Sequence, residues 1–219
     1  MGIFVCWKVT SRKPKMIGSE CLIENIYRGG ERERMNLSSF FLKREDAVLL
    51  IVDIQERLAA IMKEKDKVVK NCQHLIELAK MQEIPVVVTE QYPKGLGRTV
   101  PELQAVIPIY KPIEKTAFNC CGEPAFVAEI KKLGKKQIII TGMETHICVL
   151  QTTTGLLEES FAVHVIQDAM CSRTKENWKT GIEFMRNAGA VVTCTETVLF
   201  QLLKVAGTDE FKKISLRIK

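Results

Sequence analysis

The chain has 219 residues, 46% of them hydrophobic, and a formal net charge of +6. That length suits one compact domain with an appendage, and no apolar run approaches the roughly 18 residues of a membrane span, so no membrane association is expected. The charge does not imply a nucleic-acid partner: residues 1–34 hold seven Lys or Arg against four Glu, and the remaining excess is mixed with Glu along helical faces rather than gathered into a phosphate-binding stripe.

In chain order, residues 1–34 keep neither a helical nor a strand period for long and end in Gly29-Gly30 and a charge cluster. They are read as a poorly ordered N-terminal extension, and residues 35–219 as the functional domain. From Ala47 onward, short β-branched runs alternate with longer amphipathic ones. The expected strands are "AVLLIVD" (47–53), "IPVVVTE" (84–90), "IPIYKP" (107–112), "KQIIITG" (136–142), "AVHVIQD" (162–168) and "AVVTCT" (190–195). Helical patterns fall at 66–82, 123–133, 145–159 and 173–188, the first with Val68, Val69, Cys72, Leu75, Ile76 and Ala79 on one face. Near-continuous apolar strands joined by helical crossovers predict a mostly parallel sheet buried on both faces, a three-layer α/β/α architecture.

The eight cysteines, at 6, 21, 72, 120, 121, 148, 171 and 194, form no Cys-x-x-Cys pair and have no His at ligand spacing. With no long apolar signal segment at the amino terminus, a reducing, cytoplasmic setting is expected, and no structural metal.

Ligands of open parallel sheets collect beyond the carboxyl ends of the strands. Asp53 ends the first strand, Glu90 and Gln91 the second and Asp168 the fifth, Lys115 follows the third, and Cys148 follows the fourth near a helix start. A helix amino terminus and a nearby cation lower a thiol pKa, so the Cys148 thiolate is expected to be favoured. Asp53 could take a proton from the sulfur and return it to a leaving nitrogen, with Lys115 balancing charge. Taken singly, each residue has an ordinary alternative: a small buried side chain for Cys148, a helix cap for Asp53, a solvated cation for Lys115. His146 lies two residues from Cys148 on a helix and points to another side, so a capping or interface role is expected for it. His74 and His164 read as structural, and "GLGRTV" (95–100) as a mobile loop over the pocket.

Together, "LLIVDIQ", "PIEKTAFN" and "TGMETHICVLQT" resemble, in order, the three motifs of the isochorismatase-like cysteine hydrolases, and "TEQYPKGLGRTVPEL" is similar to the isochorismatase domain-containing subgroup. The resemblance spans residues 45 to about 205. It implies a six-stranded parallel sheet, an Asp53-Lys115-Cys148 triad and a covalent acyl-enzyme intermediate. It also implies a cis Met143–Glu144 peptide, an oxyanion hole from the amides of Glu144 and Cys148, and a homo-oligomer with the site at or near an interface. Gln91, Tyr92, Phe118 and Thr145 are expected as secondary substrate contacts. Nicotinamidases of this superfamily hold a metal through an Asp and two His after the second strand. Here "EQYPKGLG" stands there, with no His between 75 and 145, so no catalytic metal or other cofactor is expected. The expected activity is hydrolysis of a small amide or related carbonyl compound. The alternatives are vinyl-ether hydrolysis of the isochorismate type with Asp53 as acid, and a non-catalytic binding or scaffold domain that keeps the fold.

Overall fold

Six parallel strands lie side by side in the computed structural model, which describes residues 37–219; the extension expected over residues 1–34 lies outside the described residues. They are β1 (Ala47–Val52), β2 (Val86–Gln91), β3 (Ile113–Lys115), β4 (Gln137–Met143), β5 (Ala162–Cys171) and β6 (Val191–Thr193), arranged in the order β3-β2-β1-β4-β5-β6. The helices are α1 (Glu56–Ala59), α2 (Lys65–Met81), α3 (Pro93–Leu96), α4 (Pro101–Gln104), α5 (Pro124–Leu133), α6 (Leu150–Glu158), α7 (Lys175–Asn187), α8 (Thr195–Leu203) and α9 (Asp209–Arg217).

The two-residue period of a strand sorts the side chains of β1 to opposite faces. Ala47, Leu49 and Ile51 join a core layer built from α2, α8 and Ile214 of α9. Val48, Leu50 and Val52 join a second layer with Phe126 and Ile130 of α5, Leu156 of α6, and Ile182 and Met185 of α7. Every residue of β1 and β4 is buried, which is why both read as unbroken apolar runs. The predicted face of the first long helix packs as expected, with Val68, Val69, Cys72, Leu75, Ile76 and Ala79 all buried.

Three differences from expectation bear on the site. The third strand is Ile113–Lys115 rather than 107–112: it pairs only with Thr89–Gln91, and Ile109 in the preceding segment is 78% exposed. The fifth strand runs on to Cys171, past an irregularity in its pairing with β4 between Ile140 and Gly142. The helix expected at 145–159 begins as a π-helical turn, Thr145–Val149, and becomes α-helical only at Leu150.

Candidate active site

Strand β1 stops at Val52 because the chain leaves the sheet at Asp53, whose φ of 53° is left-handed. A short side chain able to bond locally tolerates that conformation better than most. Asp53 is fully buried, and both carboxylate oxygens have partners. Thr89 Oγ1 donates to Oδ1 at 2.7 Å, and Lys115 Nζ lies 2.7 Å from Oδ2. Lys115 reaches this point because β3 pairs it beside Gln91 at the end of β2. Its ammonium also donates to Gln91 Oε1 (2.6 Å), Ala117 O (3.1 Å) and Phe118 O (3.5 Å). A buried ion pair persists only when its remaining hydrogen-bonding capacity is met, as it is here. Burial by itself would lower the Lys115 pKa, but the Asp53 carboxylate and the Cys120 and Cys148 sulfurs reverse this and leave it raised.

Cys148 arrives from the other side of β1. Strand β4 approaches β1 closely at Gly142, where a Cβ would lie 2.2 Å from Val52 O, and Gly142 has a φ of 138°. The chain then passes through a cis Met143–Glu144 peptide, as the resemblance implies, into the π-helical turn. Helix α7 packs against that turn at Gly181, where a Cβ would come within 3.0 Å of Thr145 O and of His146 Cα. The buried Cys148 side chain lies near enough to Asp53 for the carboxylate's charge to act on the sulfur. Its pKa is pushed well above the ordinary thiol value, first by burial and then by the charge of Asp53, against a smaller downward pull from Lys115. This corrects the expectation of a favoured thiolate: the carboxylate is nearer in effect than the ammonium, and the sulfur keeps its proton at rest.

The other expected residues divide. The Gln91 carboxamide is buried and engaged, accepting from Lys115 and donating from Nε2 to Thr116 O at 2.7 Å. Thr145 is buried, and among the described residues its hydroxyl has no hydrogen-bond partner. Tyr92 and Phe118 are 55% and 54% exposed. Their main chains border the site: Tyr92 N donates to Lys115 O, and Phe118 O accepts from Lys115 Nζ. The Glu144 carboxylate anchors Arg173 through that residue's backbone N–H and Nε. His146 Nδ1 bonds Ser172 Oγ at 2.9 Å, and His164 Nε2 bonds Ser39 O, both in structural roles.

Three neighbours escaped sequence reasoning. Thr89 grips Asp53, and its polarity in the buried strand "VVVTEQ" was the available signal. Cys120 is buried with its sulfur 3.9 Å from Thr89 Oγ1, and burial and Asp53 push its thiol up to about 12. Gln55 braces the end of β2 from the quoted "DIQ" segment. The loop expected to be mobile is tied down: Gln55 Nε2 holds Gly97 O, Arg57 holds Gly95 O, and Arg98 bridges Glu90 and Glu114.

A groove of about 740 Å³ lies at the opposite end of the sheet, lined by Ile84, Val86, Ile109, Pro112 and Leu133 among others, and includes none of these residues. Its lining carries no converging set of acid, base and nucleophile, whereas the buried cluster at the carboxyl end of the sheet does. Among the described residues no group of three or more His, Cys, Asp or Glu is placed to hold a metal ion. The Asp53-Lys115-Cys148 cluster offers a nucleophilic sulfur, a carboxylate able to exchange a proton with it, and a fixed positive charge.

The family model described as Isochorismatase domain matches residues 47–197. Isochorismatase family protein 1A of Dictyostelium discoideum is 37% identical over 178 residues, covering 79% of this chain and 86% of that protein. Among solved structures, the MAR1 ribonuclease from Caenorhabditis elegans superposes with a TM-score of 0.76 at 36% identity, covering 81% of this chain and 92% of the other. The YcaC gene product from Escherichia coli, described as an octameric hydrolase of unknown specificity, has a TM-score of 0.76 at 30% identity, covering 81% and 90%.

Proposed function

The chain belongs to the isochorismatase family, a hydrolase fold, and on that premise we propose that it hydrolyses a small amide or related carbonyl compound through Cys148, Asp53 and Lys115. The observation that carries the proposal is the buried Asp53 carboxylate, bonded by the Lys115 ammonium at 2.7 Å and near enough to Cys148 for its charge to act on the thiol.

Because the sulfur is protonated at rest, attack and proton transfer are coupled. Cys148 Sγ bonds to the carbonyl carbon as its proton passes to Asp53, and backbone amides of Glu144 and Cys148 receive the developing oxyanion. Collapse breaks the carbon–nitrogen bond while protonated Asp53 delivers the proton to the departing nitrogen, leaving a thioester on Cys148. Water, deprotonated by Asp53, attacks the thioester and releases the acid, and the sulfur recovers a proton. Lys115 holds Asp53 in place and balances its charge throughout. Thr145, whose buried hydroxyl is unpartnered among the described residues, and Gln91, Tyr92 and Phe118 are the proposed surroundings of the substrate. The free thiols at Cys72, Cys120, Cys121, Cys148, Cys171 and Cys194 suit a reducing, cytoplasmic setting. The exposed rings of Tyr92 and Phe118, and the octamer described for the E. coli protein, support a homo-oligomer.

The test is ammonia release from a panel of small amides by the wild-type chain and by Cys148→Ala, with vinyl ethers and an RNA as further substrates. Amide turnover should be detected and should fall at least about 10³-fold in Cys148→Ala. Vinyl-ether turnover that survives Cys148→Ala would move the assignment to acid catalysis by Asp53, and RNA cleavage without amide turnover would refute it.

A further inference from the structure

Gln55 is fully buried, yet it touches neither Asp53's carboxylate nor Cys148 by any hydrogen bond of its side chain. Its carboxamide instead completes the sheet. Pairing between β1 and β2 ends at Val52 and Thr89, because the left-handed turn at Asp53 carries β1 away. Strand β2 continues to Gln91, whose backbone faces the gap that turn leaves. Gln55 Oε1 accepts from Gln91 N at 2.7 Å and Gln55 Nε2 donates to Gln91 O at 3.0 Å, so one side chain reproduces the pair of bonds a neighbouring strand would make. A third bond, Nε2 to Gly97 O at 2.7 Å, fixes the carboxamide from its far side.

The residue so clamped is one of those that hold the ammonium. Gln91 Oε1 accepts from Lys115 Nζ at 2.6 Å, and Gln91 Nε2 donates to Thr116 O, so the carboxamide cannot rotate without losing two bonds. Lys115 Nζ in turn lies against Asp53. We propose that Gln55 is a positioning residue for the active site, setting the ammonium of Lys115 through the backbone and side chain of Gln91 and so controlling the ionisation of Cys148. The proposal rests on the site assigned above, but its readout does not require turnover.

The measurement is the rate of alkylation of Cys148 by iodoacetamide, followed by peptide mass spectrometry across a pH series. It is made on the full chain and on Gln55→Met, Gln91→Met and the double variant, with a melting curve for each. Lys115 favours the Cys148 thiolate, so an ammonium set loose raises the pH at which the thiol ionises. Each single variant should therefore react more slowly at about pH 8.5, by about tenfold for each unit of displacement. If Gln55 acts through Gln91, the double variant should react no more slowly than Gln91→Met. A folded Gln55→Met with wild-type reactivity, or a double variant slowed by the product of the two single effects, would overturn the inference. Should Gln55→Met fail to melt cooperatively, Gln91→Met, which leaves the main-chain bonds in place, carries the test, and an unchanged pH profile there would refute it equally. Loss of the hydrolase assignment alone, with Cys148→Ala still active, would leave this alkylation pattern intact.

Discussion

At the scale of single residues, the proton on Cys148 is the informative feature. A thiol near a helix start and a lysine is expected to ionise easily, but burial and the Asp53 carboxylate act the other way and prevail. Removing that charge therefore separates ionisation from catalysis. In Asp53→Asn the sulfur should ionise more readily, and its alkylation at about pH 8 should speed up, by about tenfold if the pKa falls one unit. Hydrolysis of any amide substrate should be lost, because no group remains to accept and return the proton. Slower alkylation in that variant would mean that Asp53 serves chiefly as a base towards the sulfur, and that its charge is secondary. The positions of Asp53 at the end of β1 and of Cys148 beyond the end of β4 were legible because β-branched runs end visibly, whereas Lys115 ends a strand that was expected at 107–112. Their convergence was implied by the family resemblance alone, since periodicity places a residue along a strand and says nothing of strand order. Gln55 and Thr89 were hidden for a related reason: their importance lies in which backbone or carboxylate they meet across the sheet, 36 residues away in each case.

Among elements, the connection from β2 to β3 departs furthest from expectation. Its "GLGRTV" stretch was expected to be a mobile loop, yet the segment is fastened to one buried carboxylate. Glu90 Oε1 accepts from Thr99 N (2.7 Å), Thr99 Oγ1 (2.9 Å) and Tyr110 OH, and Glu90 Oε2 accepts from Arg98 Nη1 (2.9 Å). Burial alone would raise the Glu90 pKa, but these donors outweigh it and lower it. Ionised Glu90 thus stabilises the folded state fully above the carboxyl pKa of the unfolded chain, about 4.3, and that contribution disappears as pH falls through the still lower folded value. Glu90→Gln should destabilise the chain by about 2 to 3 kcal/mol near neutrality, since it weakens charge-assisted bonds and puts an amide where only acceptors fit. The gap between its urea midpoint and the wild-type one should close as pH falls through the lowered folded-state pKa of Glu90. A gap that stays constant with pH would show that packing, and not charge, is what the substitution removes. The same segment misled strand assignment. "IPIYKP" has a strand's composition, but Pro108 and Pro112 cannot donate to a ladder, and the real third strand is the more polar "IEK", selected because Lys115 must pair beside Gln91.

For the whole molecule, the alternation of apolar runs and amphipathic helices was enough to indicate a layered parallel sheet, because burial on both faces leaves a strong composition signal. The short helices α1, α3 and α4, with four residues each, left no period to read. What joins the layers at the amino-terminal side is also polar. His164, buried within β5, donates from Nε2 to Ser39 O at 3.0 Å and so ties residues 37–40 to the sheet. Burial lowers its pKa from 6.5 to about 4, although the Ser39 carbonyl pulls upward. The folded protein therefore keeps this imidazole neutral in a range where the unfolded chain binds a proton. Stability from this group is complete above about pH 6.5 and is lost progressively as pH falls towards about 4, levelling off below that, for a total of about 3 kcal/mol. His74, whose pKa is also lowered, first by burial and then by Arg217 and Lys70, adds a slope of the same sign, so a variant is needed to isolate the larger contribution. In His164→Gln, which can keep the donor to Ser39, unfolding free energies from urea titrations between about pH 7 and pH 4.5 should decline by about 2 to 3 kcal/mol less than in the wild type. Equal declines in the two proteins would mean that His164 is solvated enough to titrate normally. The link between residues 37–40 and β5 would then contribute nothing to acid sensitivity.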